Sequence, residues 1–148
     1  MQQVVGSGID GEPMGDCLRA CVASVFELPI EEVPHFAEAP SWIAALRGWL
    51  KPMGLVVENE GYNGQSLDSP RRYYSGWWIA SVESENIEGA THAVVMRGMG
   101  NEYEGDDGRW YEVAHDPSPH PRRTPYKFRA AYYFVALDPA VIARRAAP

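Results

Sequence analysis

Residues 15–28 read Gly-Asp-Cys-Leu-Arg-Ala-Cys-Val-Ala-Ser-Val-Phe-Glu-Leu. The run from Leu18 to Leu28 is apolar enough to predict a buried helix, and Asp16 is a residue type that commonly caps a helix N-terminus. Cys17 would then lie at the positive end of the helix, where free N–H groups and the macrodipole stabilise a thiolate. This placement makes Cys17 a candidate nucleophile, although a small apolar residue packed at a helix start fits the segment equally well.

Two later segments could supply a base and a group that orients it. Thr91 to Met96 and Tyr111 to Asp116 both read as strands, and the residues between them are rich in turn formers. An antiparallel hairpin would bring His92, at the start of one strand, to Asp116, at the end of the other. A carboxylate fixes the tautomer of an imidazole and stabilises its cation, as a thiol–imidazole pair requires. Neighbouring strand residues face opposite sides, so only one of His115 and Asp116 can face His92.

The same side chains suggest a metal site as an alternative. The candidate metal ligands are Cys17, His92, His115, Asp116 and His120. No short segment supplies two of them at a spacing such as H-x-x-x-H or C-x-x-C, so we expect no metal. Residues 6–11 match G-x-G-x-x-G, but only a minimal strand precedes them and Pro13 delays the helix, which argues against a dinucleotide. We therefore expect no cofactor.

The order of these motifs resembles that of papain-like cysteine peptidases, and especially of the C39-like, bacteriocin-processing-type group. The resemblance runs from about residue 14 to residue 117, through Asp16-Cys17, then His92-Ala-Val-Val, then a strand that ends in Asp116-Pro117. In that family the cysteine opens the central helix, and the histidine and aspartate lie on the sheet facing it. The resemblance implies that Cys17 is the nucleophile, His92 the general base and acid, and Asp116, rather than His115, the orienting group.

The chain departs from the family pattern at the oxyanion hole. The family usually has a glutamine shortly before the cysteine, and here that slot holds Gly11. Loss of one oxyanion donor can slow acyl transfer by about 100-fold to 1000-fold. The backbone N–H of Cys17 would be one donor, and we take Gln3 as the candidate side chain for the second, with a backbone N–H from 11–15 as the alternative.

The order of predicted elements indicates an α+β fold in which the cysteine-bearing helix packs on a mostly antiparallel sheet. A second helix is predicted over 41–50, capped by Ser41, and strands are predicted over 55–58, 77–82, 91–97, 109–115 and 130–137. The 148 residues fit a single domain, here a papain-like one spanning 1–148, with 1–14 as an entry loop and 138–148 as a C-terminal tail.

Composition excludes several functional classes. A net charge of −7 argues against a nucleic-acid-binding surface, and no run of apolar residues is long enough to cross a bilayer. Two cysteines spaced four apart on one predicted helix do not make a secreted disulfide scaffold, so we expect a reducing, cytoplasmic location. Cys21 falls on the apolar stripe of its helix and is expected to be a core residue.

These observations lead to a functional hypothesis with open alternatives. We expect a cysteine-dependent hydrolase that cleaves a peptide, isopeptide or other amide bond through an acyl-enzyme on Cys17. Its substrate would be a peptide, a protein or a small amide, and its oligomeric state is open. One alternative is an inactive binding or inhibitor protein on the same scaffold. The other is an acyl or peptidyl transferase that uses the same thioester.

Overall fold

The computed structural model describes residues 16–61, 76–98 and 111–136. Its helices come first in the chain and its strands later, as the sequence predicts. Helix α1 spans Cys17–Phe26 and α2 spans Trp42–Leu50, with 3-10 turns at Ile30–Glu32, Phe36–Glu38 and Lys51–Met53. The strands are β1 (Leu55–Gly61), β2 (Trp77–Glu83), β3 (Thr91–Gly98), β4 (Tyr111–His115) and β5 (Phe128–Ala136).

The five strands form one sheet in the order β1-β5-β2-β3-β4, with every pairing antiparallel. The α+β class and the antiparallel sheet are therefore confirmed. The sheet is buried on both sides at its centre. Along β2 and β3, one set of side chains joins the core under the helices, and the alternate set forms a second buried cluster. Burial on both faces explains why these strands read as continuous apolar runs instead of alternating ones.

Both helices begin where the sequence predicts, but only α2 has the predicted side-chain cap. The hydroxyl of Ser41 accepts from the backbone N–H of Ala44 at 3.3 Å, which is the predicted cap of α2. Asp16 occupies the N-cap position of α1, but its carboxylate makes no capping hydrogen bond. That carboxylate instead lies 4.0 Å from the guanidinium of Arg19. The expected side-chain cap on α1 is therefore wrong, although the helix begins where predicted.

Helix α1 also ends two residues earlier than its apolar pattern indicates. Glu27 adopts a left-handed backbone conformation, with φ of 54°, and its N–H bonds back to Ala23 and Ser24. The N–H of Leu28 bonds to the carbonyl of Ala23 at 2.9 Å, which closes the helix end. Leu28 is packed against the core from outside the helix. Its apolar character reflects burial rather than helical structure.

The five strands lie where the sequence predicts them, but several begin or end at different residues. Strand β1 continues to Gly61 instead of stopping at Glu58, because Asn59, Glu60 and Gly61 pair with β5. Polar residues at the edge of a sheet give no periodic signal, so this extension comes from pairing alone. The predicted entry loop, the tail and the first residues of the 109–115 strand lie outside the described residues.

Candidate active site

Cys17 is the first residue of α1 and is partly buried against the helix-side core. The carbonyl of Asp16 accepts the first helical hydrogen bond, from Ala20 at 2.9 Å. The backbone N–H groups of the first turn have no acceptor within their own helix, so this end carries partial positive charge. The side chain of Cys17 therefore lies where a thiolate is favoured, as the sequence predicts.

His92 reaches this thiol from the sheet. It is the second residue of β3, where it pairs with Val82 of β2, and α1 packs against both strands. Its ring makes a side-chain hydrogen bond with Cys17. Because Nε2 contacts Asp116, Nδ1 is the ring nitrogen left for the thiol.

Asp116 directly follows β4 and completes the group. Its Oδ1 lies 2.5 Å from Nε2 of His92, across 24 residues of chain. The two side chains are 18% and 19% exposed, so water only partly screens their interaction. Oδ1 also accepts the backbone N–H of Ser118 at 3.0 Å, and Oδ2 accepts the hydroxyl of Tyr126 at 2.9 Å. Asp116 is thus the residue that faces His92, as the resemblance implies.

An irregularity in the β3–β4 pairing sets the position of Asp116. Met96 lies opposite Val113, but the next residue back, Val95, lies opposite His115. Ala114 is therefore an extra residue on β4, which is the arrangement of a β-bulge. Because of the bulge, His115 and not Ala114 lies opposite Val95, so the residues that follow are each shifted by one position relative to β3. The sequence predicts that the hairpin brings the two strand ends together, but no sequence pattern indicates the bulge.

Electrostatics at the site favour a thiolate–imidazolium pair. Burial alone would raise the pKa of the Cys17 thiol, but the hydrogen bond and positive charge of His92, with backbone hydrogen bonds from Ala93 and Leu18, hold that pKa below 9.0. Burial would lower the pKa of His92, yet its hydrogen bonds to Asp116 and Cys17 and their charges raise that pKa to about 9. Each group therefore stabilises the charged form of the other.

The carboxylate is stabilised in the same way. Burial opposes ionisation of Asp116, but hydrogen bonds from His92, Ser118 and Tyr126, and the positive charge of His92, lower its pKa from 3.8. An ionised Asp116 beside His92 keeps the imidazolium charged and fixes which nitrogen faces the thiol. The arrangement can generate a thiolate, hold it beside a proton donor and orient that donor.

The remaining sequence candidates do not join this group within the described chain. Cys21 is fully buried in the helix-side core, as predicted, and burial raises the pKa of its thiol well above 9.0. No cluster of three or more metal-ligand side chains occurs in residues 16–61, 76–98 and 111–136. Gln3 and the glycine-rich residues 6–11 lie outside the described residues.

No sequence pattern indicates that Tyr126 and Ser118 belong to the site. Ser118 contributes only a backbone N–H, for which its side chain gives no signal. Tyr126 is ten residues beyond Asp116 in a proline-rich connection, and no spacing rule places its hydroxyl on that carboxylate. That these two groups donate hydrogen bonds to the Asp116 carboxylate can be seen only in the three-dimensional structure.

A cavity of about 590 Å³ lies at the other end of α1, away from Cys17. It is lined by Ser24 to Ile30, except Phe26, together with Glu31 and Trp77. None of the three site residues borders this cavity. We therefore locate the candidate active site by its side-chain chemistry and not by this cavity.

Comparison with models of protein families, with curated proteins and with solved structures found no match to this chain. None of the described helices is long and apolar enough to cross a membrane.

Proposed function

We propose that this protein is a cysteine-dependent hydrolase of papain-like type that cleaves an amide bond through an acyl-enzyme on Cys17. The observation that carries the proposal is the connected series Cys17–His92–Asp116, in which a helix start, a strand start and a strand end each supply one group. The lowered pKa of the Cys17 thiol gives the nucleophile, and the raised pKa of His92 gives the proton donor.

The chemistry would proceed in two halves. The Cys17 thiolate attacks the carbonyl carbon, so that a carbon–sulfur bond forms and the carbonyl electrons move to oxygen. When the tetrahedral intermediate collapses, the carbon–nitrogen bond breaks, and His92 gives its proton to the leaving nitrogen. Neutral His92 then takes a proton from water as that water attacks the thioester. The acid is released and the thiolate–imidazolium pair is restored.

The developing oxyanion needs donors near Cys17. The backbone N–H of Cys17 is at the first position of α1, where it has no acceptor within the helix. It can therefore serve as one donor, assisted by the positive end of the helix. Gln3 stays our candidate for the second donor.

The substrate would be a peptide, an isopeptide-linked protein or a small amide, without a metal or other cofactor. A reactive thiolate is preserved in a reducing compartment, and both cysteines are unpaired, so we place the enzyme in the cytoplasm. A transferase would form the same thioester and pass the acyl group to an amine.

Acid-quenched mass spectrometry tests the proposal directly. The protein is mixed with a panel of peptide anilides and thioesters, and the intact mass and the modified residue are measured. An acyl adduct on Cys17 that forms and decays, and is missing in Cys17→Ala, supports the proposal. When the adduct decays in the presence of an added amine, release of the acid indicates a hydrolase, and transfer of the acyl group to the amine indicates a transferase. A wild-type protein that binds peptides without acylation would instead support the non-catalytic alternative, which the absence of the family's glutamine at Gly11 leaves open.

A further inference from the structure

The two oxygens of the Asp116 carboxylate have different partners. Oδ1 faces His92 and the backbone N–H of Ser118, whereas Oδ2 accepts the hydroxyl of Tyr126 at 2.9 Å. A carboxylate held through one oxygen can turn about its terminal torsion, which is broad and roughly two-fold. A donor on the second oxygen limits that rotation and keeps Oδ1 directed at His92.

The ring of Tyr126 is itself held in place. The guanidinium carbon of Arg122 lies 4.6 Å from the ring centroid, within the range of a cation–π contact. Arg122 is tied to the β2 side of the site, with its Nε 3.3 Å from the carboxylate of Glu85 and its Nη1 donating to the carbonyl of Glu83 at 3.2 Å. The side chains of Arg122 and Glu85 are only 14% and 13% exposed.

The carboxylate of Glu85 also holds the connection between β4 and β5. It accepts the backbone N–H of Arg123 at 2.6 Å and the hydroxyl of Thr124 at 2.8 Å. Tyr126 follows these anchored residues and precedes β5. Its hydroxyl is thus directed at Asp116 from a segment fixed by hydrogen bonds, and Asp116 is held by more than its own strand.

We propose that Tyr126 is a positioning residue: its hydroxyl fixes the Asp116 carboxylate, and through it the orientation of the His92 ring toward Cys17. The inference rests on the proposed function for its effect on turnover, but its effect on the thiol does not need a substrate. Burial and the charge of Asp116 raise the pKa of Tyr126 to about 12, so the hydroxyl remains a donor throughout the working pH range.

The test compares Tyr126→Phe with Tyr132→Phe. Phenylalanine retains the ring and removes only the hydroxyl. Tyr132 is on β5 and packs edge-to-face on Trp42, and burial, without any contribution from the charge of Asp116, raises the pKa of its hydroxyl, which makes it a matched control. The first readout is the rate of iodoacetamide alkylation of Cys17 against pH. The second is the titration of the His92 ring nitrogens by ¹⁵N NMR. Both readouts are chosen because a merely structural role of Tyr126 would move neither curve.

In Tyr126→Phe we expect the His92 titration to move to lower pH and the Cys17 alkylation curve to move to higher pH. Where an amide or thioester substrate is turned over, kcat should fall about 10-fold with KM little changed, because alignment and not substrate binding is lost. Tyr132→Phe should give the wild-type curves. Arg122→Gln, which keeps the hydroxyl but loosens the ring, should shift both curves in the same direction by less.

Unshifted curves in Tyr126→Phe would overturn the inference, whatever Arg122→Gln shows. This failure is distinguishable from failure of the proposed function. A wild-type protein that forms no acyl-enzyme would refute the hydrolase, while a shifted thiol curve in Tyr126→Phe would still establish the positioning role.

Discussion

Cys17 and Cys21 lie one helical turn apart on α1, and the pKa values of their thiols shift in opposite directions. His92 and nearby backbone groups lower the pKa of Cys17, whereas burial raises the pKa of Cys21 well above 9.0. Position on the helix explains the difference. Cys17 is partly buried at the N-terminal end of α1, beside His92 of the sheet, and Cys21 is enclosed by the core.

Cys17→Ala should abolish acylation while changing the melting temperature little, because the residue is at a helix start and only partly buried. Cys21→Ser should do the reverse, since it places a hydroxyl in an apolar core at a cost of about 1 to 3 kcal/mol. Acylation assays and thermal melts of the two variants check this pair. Full activity in Cys17→Ala or Cys17→Ser would refute the nucleophile assignment.

Alkylation by iodoacetamide should separate the two thiols by pH. The thiolate of Cys17 is populated as pH rises through its lowered pKa, so its alkylation rate should reach half its maximum below pH 9.0. Cys21 should react far more slowly across this range. His92→Ala removes the hydrogen bond and the charge, and should move the Cys17 curve to higher pH. Peptide mass spectrometry after timed quenching gives both rates, and two equally slow thiols would contradict a poised nucleophile.

The Asp116–His92 contact should contribute to stability within a defined pH window. The test would compare two proteins, Cys17→Ala and Cys17→Ala/Asp116→Asn. Both lack the Cys17 thiol, so its titration does not affect the comparison. The raised pKa of His92 gives stability that is complete below pH 6.5 and lost as pH rises through the folded value. The lowered pKa of Asp116 gives stability that is present above pH 3.8 and lost as pH falls through the folded value.

The difference in unfolding free energy between the two proteins should therefore be largest between pH 3.8 and pH 6.5. It should amount to about 1.5 to 3 kcal/mol, as for a hydrogen bond between charged groups. At high pH the loss should begin below pH 9, because the Cys17 contribution to the His92 pKa is gone in this background. Urea unfolding across pH measures the difference, and a flat difference would argue against an ion pair.

Arg19→Gln should destabilise the fold. The Nε of Arg19 donates to the carbonyl of buried Val33 at 2.6 Å, which ties α1 to the 3-10 turns that follow it. Loss of a charged donor to a buried carbonyl costs about 1.5 to 3 kcal/mol. Arg47→Gln, on the exposed side of α2, is the matched control and should change stability little. Equal urea midpoints for the two variants would show that the tie contributes nothing.

Gln3→Ala should slow acylation by at least about 10-fold and leave alkylation of Cys17 unchanged, because an oxyanion donor acts on charge that appears only in the transition state. Single-turnover acylation and alkylation rates on the same preparation check this. An unchanged acylation rate would exclude Gln3 and shift attention to a backbone N–H from 11–15.

The sequence predicted the parts of the site that follow from local chemistry. A cysteine at the start of an apolar segment, and a hairpin that brings His92 to the end of the 111–116 segment, needed only helix and strand patterns, whereas the choice of Asp116 over His115 came from the family resemblance. The structure brings these three residues together. It did not predict the left-handed end of α1 at Glu27 or the extension of β1 to Gly61, because backbone hydrogen bonding and strand pairing set both. Tyr126 depends on a long-range contact without any local pattern.

The extra residue at Ala114 makes the count of residues as much a part of the site as their identity. With regular pairing, Ala114 would lie opposite Val95 in place of His115, and the carboxylate that follows would move one position further along β3. A related chain with one more residue between Val113 and Asp116, and no further bulge to absorb it, could thus lose the site while Cys17, His92 and Asp116 all remain. Judging whether such a chain is active therefore requires the gaps in an alignment to be read along with the matched letters.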